Sequence, residues 1–383
     1  MTHSSVGRSR RIALLAVSCA VAVGVLGEAS PALAAPESDE PSVSSPALNP
    51  ELGAAAPESR SGSKVFAKTD AGPDGIAVDA LGNVYTANSR ANTVTKVTAS
   101  GKASRLGPTG KTPRGIAVDS SGNVYTSNLG DNTVTKITPG GSSSVLGTTG
   151  SKPIDVAVDA AGNVYTTNYA DSTVTKITPG GVSSVHAATG SRPLGITLDR
   201  QGNVYTANEG ANNVTKITPG GAASTLGKTG SWPQAIAIDR SGNIYTANWN
   251  SRNVSKITPK GSSAIYGKTG RRPIGIAVDP HGAVFTTNDG ANSVSKINRK
   301  GRSKVIASTG RRPIGIASDA AGFLYTANFL SNTITEIYPS PKGSPSVLTL
   351  NTVSVLKPGN RKAWIIPFWN DVYGSKAECE AAF

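Results

Sequence analysis

One phrase returns at a fixed interval. Gly-Ile-Ala-Val-Asp, residues 75–79 in its first copy, recurs with variations every 40 residues, its aspartate falling at Asp79, Asp119, Asp159, Asp199, Asp239, Asp279 and Asp319. No insertion interrupts the count, and a glycine follows each aspartate by three residues, from Gly82 to Gly322. Self-similarity at this period means that one supersecondary unit is being copied, so the fold is a stack or ring of that unit. Within a copy the pattern is strand-like. Asn83-Val84-Tyr85-Thr86-Ala87-Asn88 is followed by Thr93-Val94-Thr95-Lys96-Val97-Thr98, and in later copies a Pro-Gly-Gly turn such as Pro139-Gly140-Gly141 leads to a short run around Ser143–Leu146. A Thr-Gly loop and a proline open the next copy. These segments are rich in Val, Ile, Thr and Tyr and are divided by Gly, Pro, Asn and Asp, with no sustained helical period.

Four short strands per copy, here named A to D, is the content of a propeller blade. The expected fold is therefore all-β, a seven-bladed β-propeller. Closure has a physical reason: a lone four-stranded sheet exposes both faces and its edges, whereas a ring buries faces against neighbours and leaves only short edges. The same burial lets strands carry apolar residues on both sides. Ring closure calls for a strand from the other end of the chain. Ser63–Thr69 reads as a fourth strand lacking its first three, and Ser346–Leu350 competes for the same place; the N-terminal segment is preferred.

The expected domains are a signal peptide over residues 1–34, a flexible Pro/Ser/Ala-rich linker over 35–62, the propeller over 63–340 and a tail over 341–383. Arg8, Arg10 and Arg11 precede an apolar run from Ile12 to Gly27 and an Ala32-Leu33-Ala34 cleavage pattern, which is the layout of a secretory signal. The run is short for a membrane span, and it continues past Cys19, where a lipid-attachment cysteine should end it. Removing the signal leaves Cys379 as the remaining cysteine, so no disulfide framework within the chain is expected. The tail carries an apolar cluster, Trp364, Ile365, Ile366, Phe368 and Trp369, and a short helix is expected near its end. The protein is expected to be secreted or associated with the cell wall, monomeric, and without a membrane span in the mature chain.

Chain direction alternates, so A–B and C–D turns share one face of the disc and B–C and D–A loops share the other. The first set scarcely changes: Asp-x-x-Gly-Asn recurs at most A–B turns, where the carboxylate can accept from backbone N–H groups. A calcium loop would need several more oxygen ligands. The second set varies. Bulky and basic residues there are not required by the scaffold, and loops on rigid scaffolds are where binding tends to sit. Trp232 and Trp249 belong to one blade and should be neighbours, with Arg252, Arg271 and Arg272 close by; Arg192, Arg312 and Tyr169 complete the candidate binding residues. The asparagine ending strand B in every copy, Asn88 to Asn328, is expected to tie its own loop to backbone groups rather than line a channel mouth. The full chain is formally +14. Residues 260–312 hold eleven Lys or Arg against Asp279 and Asp289, a basic sector suited to an anionic polymer.

The phrase over residues 75–88 resembles the NHL repeat and is similar to the repeat of the virginiamycin B lyase (streptogramin lyase) family, over about residues 63–340. That resemblance implies a seven-bladed propeller and, for a lyase, a histidine just after the proline opening strand A, a glutamate ending strand B, and an assisting magnesium ion. The matching positions here are Asp74, Arg114, Ile154, Leu194, Gln234, Ile274 and Ile314, and then the seven asparagines. None is histidine or glutamate. His186 falls in a strand D and His281 in an A–B turn, away from the variable face. The variable-face acids Asp74, Asp155, Glu209 and Asp289 belong to different blades, and no metal constellation is read from them.

The leading expectation is a non-catalytic binding module for an anionic wall or extracellular polymer, or a protein, with no cofactor. Nucleic acid ranks last among anionic partners, since no recognition module for it is visible. A lyase or lactonase-type enzyme, with magnesium only in that case, and a structural envelope protein are the alternatives.

Overall fold

The computed structural model describes residues 62–338. The expected signal peptide and tail, the linker up to residue 61, Cys379 and the competing strand at 346–350 lie outside the described residues, and Gly62, the last residue of the expected linker, opens the first strand. Among those residues no helix is long and apolar enough to cross a membrane.

Seven four-stranded antiparallel sheets form the disc. The first contains β2 (Pro73–Val78), β3 (Val84–Asn88), β4 (Thr93–Val97) and β5 (Ala103–Pro108), and the pattern repeats every 40 residues through β25 (Ser303–Ser308). The last sheet has the order β1 (Gly62–Lys68), β28 (Thr333–Tyr338), β27 (Leu324–Asn328), β26 (Pro313–Ser318). The N-terminal segment thus supplies strand D of the seventh blade, as its sequence leads one to expect.

Strand B is buried at every position in all seven blades. Its two faces serve different neighbours, so the core lies between blades rather than inside them. Tyr85, Ala87 and Val94 of blade one pack on Ile116, Val124 and Ile137 of blade two. The ring closes where Tyr325, Ile334 and the strand-β1 residue Ala67 meet Val84 and Val97. At about 1.5–3 kcal/mol for each fully buried aliphatic side chain, no blade could keep this core without its neighbours. Two-sided burial does not extend to the rim. On strand D, Val65, Val145, Val185, Ile265 and Val305 are each more than 60% exposed. There β-branching fits the pleat without a partner surface.

Two polar clamps repeat with the blades. In the A–B turn, Asp79 Oδ1 accepts from the N–H groups of Leu81 and Asn83, and Oδ2 from the Asn83 amide and the Tyr85 hydroxyl. Burial opposes ionisation of this carboxylate, but those donors outweigh it and hold Asp79, Asp119, Asp199 and Asp239 below the usual carboxylate range. The partner tyrosines shift up, Tyr165 to about 12, through burial and the adjacent carboxylate. At the other end of strand B sits the recurring asparagine, fully buried in every blade. It does secure its loop, but its partners are side chains, not the backbone groups expected. Asn88 Nδ2 donates to the Thr93 and Thr95 hydroxyls, while its oxygen accepts from Thr86. The reason is local: strand C presents a hydroxyl or amide oxygen opposite it in each blade, as with Asn213 and Thr215. The Thr-Gly loop glycine is needed for this packing, since a Cβ on Gly110 would fall 2.7 Å from Asn128 Nδ2.

The closing blade differs in charge. In six blades a strand-C lysine lies over the strand-B ring, as Lys96 does 5.6 Å from the Tyr85 centroid. In the seventh, Glu336 takes the lysine's place and pairs in register with Lys64 of β1, with Nζ and Oε2 2.9 Å apart. Charge complementarity is thus placed at the one sheet assembled from both ends of the sequence.

Two outcomes follow. Glu336→Lys places like charges across the seam; with Lys64 half exposed and screened, it should lower stability by roughly 1–2 kcal/mol. Adding Lys64→Ser, which recreates the lysine–serine pairing of blades one to four, should recover most of that in thermal denaturation followed by circular dichroism. The clamped aspartates have folded pKa values below the unfolded value of about 3.9, so the stability they contribute is present above that value and is lost as pH falls through the folded pKa. Denaturant midpoints should therefore drop steeply below about pH 4, and less steeply when Asn83→Ala and Tyr85→Phe release one clamp.

Candidate functional site

The loop face is built on left-handed backbone. The D–A loop residue before each strand-A proline has φ of 54–59° in six copies, at Thr112, Lys152, Arg192, Trp232, Arg272 and Arg312, and Gly72 holds the position with φ 72° in the first. Only glycine enters this region freely; an ordinary residue costs about 1–2 kcal/mol there. The chain nonetheless spends the position on large side chains. A second left-handed site lies in the B–C loop, where asparagine predominates and its Oδ1 accepts from the next blade's D–A residue, as Asn212 does from the Trp232 N–H at 2.8 Å. Arg252 stands at this second position, φ 53°, and offers no acceptor to the following blade.

Around the face, the first residue after strand B alternates from blade three onward: Tyr169, Glu209, Trp249, Asp289, Phe329. Each aromatic ring is met by a guanidinium from the next blade around the ring. Arg192 lies 6.0 Å from the Tyr169 centroid, Arg272 5.2 Å from Trp249 and Arg90 4.5 Å from Phe329. Trp232 and Trp249 stack with centroids 5.3 Å apart and an interplanar angle of 23°, and Trp232 is 46% exposed. Arg312 reaches Phe329 from its own blade at 4.8 Å and lies 3.7 Å from Asp289. Glu209 accepts from the Tyr169 hydroxyl and the Gln234 amide.

Of the eight expected binding residues, Trp232, Trp249 and Arg272 form one contiguous cluster. Tyr169 with Arg192 forms a separate pair, and Arg312 joins Phe329 and Asp289 elsewhere on the face. Arg252 and Arg271 are exposed beside the tryptophan blade, with no ring contact or ion pair among the described residues. Phe329 and Arg90 stand in the variable columns after strand B but are not among the eight candidates; their contact joins the last blade to the first, which position in the sequence does not reveal. The basic run at 260–312 is not one patch. Arg271, Arg272, Arg311 and Arg312 stand in D–A loops, while Lys260, Arg299, Lys300 and Arg302 stand in C–D turns of the opposite face, because a 40-residue unit passes through both faces.

At the axis the seven A strands converge on a cleft of about 130 Å³. Ile154, Leu194, Ile274 and Ile314 give it apolar walls, and Asp74, Arg114 and Asp155 of three consecutive blades a polar corner. The acids read as dispersed are thus partly assembled: Asp74 and Asp155 share this corner, whereas Glu209 and Asp289 remain on the outer loops. Sequence distance hides the convergence. Arg114 Nε lies 3.1 Å from Asp74. Asp155 accepts from the N–H groups of Val156 and Ile196. Burial raises both carboxyls; for Asp155 the nearby Asp74 charge adds to it against those hydrogen bonds, and its pKa is pushed up to about 6.

A profile of the virginiamycin B lyase family matches residues 49–287 and, in a second overlapping match, 103–353. The chain belongs to the virginiamycin B lyase family. A comparison with curated protein sequences finds no match. Among solved structures, the fold is similar to a streptogramin B lyase, at 18% identity and TM-score 0.64 over 72% of this chain and 97% of that one. It is similar also to virginiamycin B lyase from Staphylococcus aureus, at 17% and 0.63 over 72% and 98%, and to a catalytically inactive form of that enzyme with quinupristin, at 19% and 0.64 over 71% and 96%. At such identities the likeness speaks for the propeller alone.

The magnesium implied by this family can be tested against the donor set. No group of three or more His, Cys, Asp or Glu side chains among the described residues could hold a metal ion. The two axial carboxylates are already engaged by a guanidinium and by backbone donors, which does not suit an ion demanding octahedral oxygen ligands.

Two measurements follow. Lys152→Gly relieves the left-handed strain at a position without a ring contact, and should raise stability by roughly 0.5–1 kcal/mol after the entropy of glycine is deducted. In carboxyl-carbon NMR the Asp155 resonance should titrate near pH 6, and Asp74→Asn should lower its midpoint. The sign for stability is opposite to that of the turn aspartates: a raised folded pKa makes Asp155 oppose folding progressively as pH rises from about 4 to 6.

Proposed function

We propose that this protein is an exported, non-catalytic member of its family that binds an anionic polymer through the aromatic and guanidinium groups of its loop face. The observation that carries this reading is the occupation of the left-handed D–A position by Arg192, Trp232, Arg272 and Arg312 where Gly72 shows that glycine serves the scaffold. Strain of this kind is retained where the side chain has a use beyond folding. Tryptophan and arginine are also the residues that dominate binding energy at interfaces. A guanidinium over a ring keeps its edge free for carboxylate or phosphate oxygens. The N-terminal signal pattern supports export. The buried asparagines, engaged at both ends of the amide, support a structural role for the position where the family's lyases are expected to carry a glutamate.

A second reading, an elimination or hydrolysis at the axial cleft, is favoured by family membership and by Asp155, whose pKa near 6 suits proton transfer. One experiment separates the two. The chain spanning residues 35–383 is passed over immobilised anionic wall polymer at rising salt, beside a Trp232→Ala/Trp249→Ala variant. Retention that falls with salt, with affinity weakened about tenfold or more by the double variant at unchanged thermal stability, supports binding. Equal retention of both proteins removes the loop face from the function. Turnover of a cyclic depsipeptide lactone that is lost in Asp155→Asn would establish the enzyme reading instead.

A further inference from the structure

The turn face is close to invariant; Ala99 in the first blade and Phe323 in the seventh depart from it singly, and the largest group of departures lines one groove between blades five and six. At the sixth A–B turn, Ala283 and Phe285 replace the asparagine and tyrosine that clamp Oδ2 of the corresponding aspartate in the first five blades. Asp279 keeps the backbone donor Ala283 N–H to Oδ1, but alanine and phenylalanine carry no donor for its other oxygen. The residue is only 7% exposed, yet it lines a groove of about 430 Å³, within the range of roughly 300–1,000 Å³ usual for small-molecule sites.

The opposite wall has changed in the same place. Tyr266 stands in a column that holds Leu106, Leu146 and Leu226 in three blades and His186, Ile306 and Phe66 in the others, and Arg299 stands where four blades have a proline, such as Pro259. Arg299 Nε donates to the His281 carbonyl, fixing the guanidinium across the sixth turn. Tyr266 donates its hydroxyl to the Asn298 carbonyl at 3.0 Å, so its ring is held in a set orientation. Lys256 lies 5.6 Å from the Tyr245 and Tyr266 centroids, and Arg240 also lines the groove. A second groove of about 390 Å³ shares Tyr266 and continues on its outer side.

Packing accounts for the Tyr266 ring itself, since Phe66 and His186 meet the strand-B tyrosine in the same way, but not for the two side-chain donors missing at the sixth turn or for the guanidinium laid across it. The combination has a chemistry. A carboxylate oxygen released from its side-chain clamp can accept from hydroxyl groups, an oriented aromatic ring packs against the C–H face of a saturated ring, and the flanking cations neutralise an anion. We infer that this groove binds an anionic polyhydroxylated unit, a uronic acid or a polyol phosphate, on the face opposite the loop crown. The site does not depend on the loop-face proposal, from which it differs in residues and position.

The test uses the 35–383 chain and isothermal calorimetry with three probes: a trigalacturonate, glycerol 3-phosphate and an uncharged trisaccharide. Its central variant restores the repeat with Tyr266→Leu, Ala283→Asn, Phe285→Tyr and Arg299→Pro, and should be at least as thermally stable as the parent because it rebuilds a clamp present in five blades. At least one charged probe should bind the parent, the trigalacturonate if the unit is a uronic acid and glycerol 3-phosphate if it is a polyol phosphate. The uncharged sugar should bind about tenfold more weakly or not at all. The restored variant should lose the same factor, while Trp232→Ala/Trp249→Ala should not. Equal affinity for charged and uncharged probes, absence of binding by either charged probe, or full affinity in a restored variant that melts no lower than the parent would overturn the inference. If the restored variant melts lower, Asp279→Asn alone is the arbiter: it should weaken the charged probe, and unchanged affinity counts against the site.

Discussion

Everything in this molecule rests on apolar contact between sheets that cannot bury their own faces. Strand B is the hinge of that dependence, because its side chains alternate between two neighbouring blades and none reaches solvent. Each interface is a small core of valine, isoleucine and one aromatic ring, repeated until the ring meets itself. The last interface is the only one that the chain cannot make by continuing forward. It is made by β1, and it is there that the lysine-over-ring motif gives way to the Lys64–Glu336 pair. An identical pair in every blade would leave strand D indifferent among seven sheets. A single pair, at a single edge, favours one register and one partner.

Closure in turn fixes where polar groups can be afforded. The asparagine and aspartate clamps satisfy the two ends of strand B, one with side-chain hydroxyls and the other with turn N–H groups. Because these needs recur in each blade, the aspartate and the asparagine that meet them recur in all seven. A departure therefore carries information that the same residue would not carry in a fold without internal copies. Arg252 gives up an inter-blade acceptor that its counterparts provide, and Asp279 loses two side-chain donors that the aspartates of the first five blades keep.

Most of the architecture could be read from the chain, since spacing reports strands, turns and the two faces of a disc directly. The closing strand was legible for the same reason: Ser63–Thr69 is a fourth strand with no first three. That Trp232 and Trp249 are neighbours follows from placing a D–A loop and a B–C loop on one face; their stacking does not. What periodicity does not encode is radial convergence. Asp74, Arg114 and Asp155 are about one repeat apart in sequence, yet they share a corner because strand A is innermost in every sheet. Nor does it encode contact between the first blade and the last, which is how Arg90 comes to lie over Phe329. The partners of the buried asparagines escaped for a smaller reason. Strand-C threonines signal β-propensity in the sequence, and their second use as acceptors for an amide needs the register of strands B and C.

The left-handed D–A residue shows how scaffold and function can be told apart here. The loop must turn through positive φ to bring one blade's strand D to the next blade's strand A, and the first copy does so with Gly72. If stability alone governed the position, glycine would recur as it does at Gly82 and its six equivalents in the A–B turns. Both columns demand the same backbone, yet the turn column is uniformly glycine and the loop column is threonine, lysine, arginine and tryptophan. The two columns differ in the face to which they belong. On the turn face the backbone requirement decides the residue. On the loop face something outweighs about 1–2 kcal/mol of strain per site, and at four of the six positions, Arg192, Trp232, Arg272 and Arg312, the side chain stacks on or sits over an aromatic residue of that face.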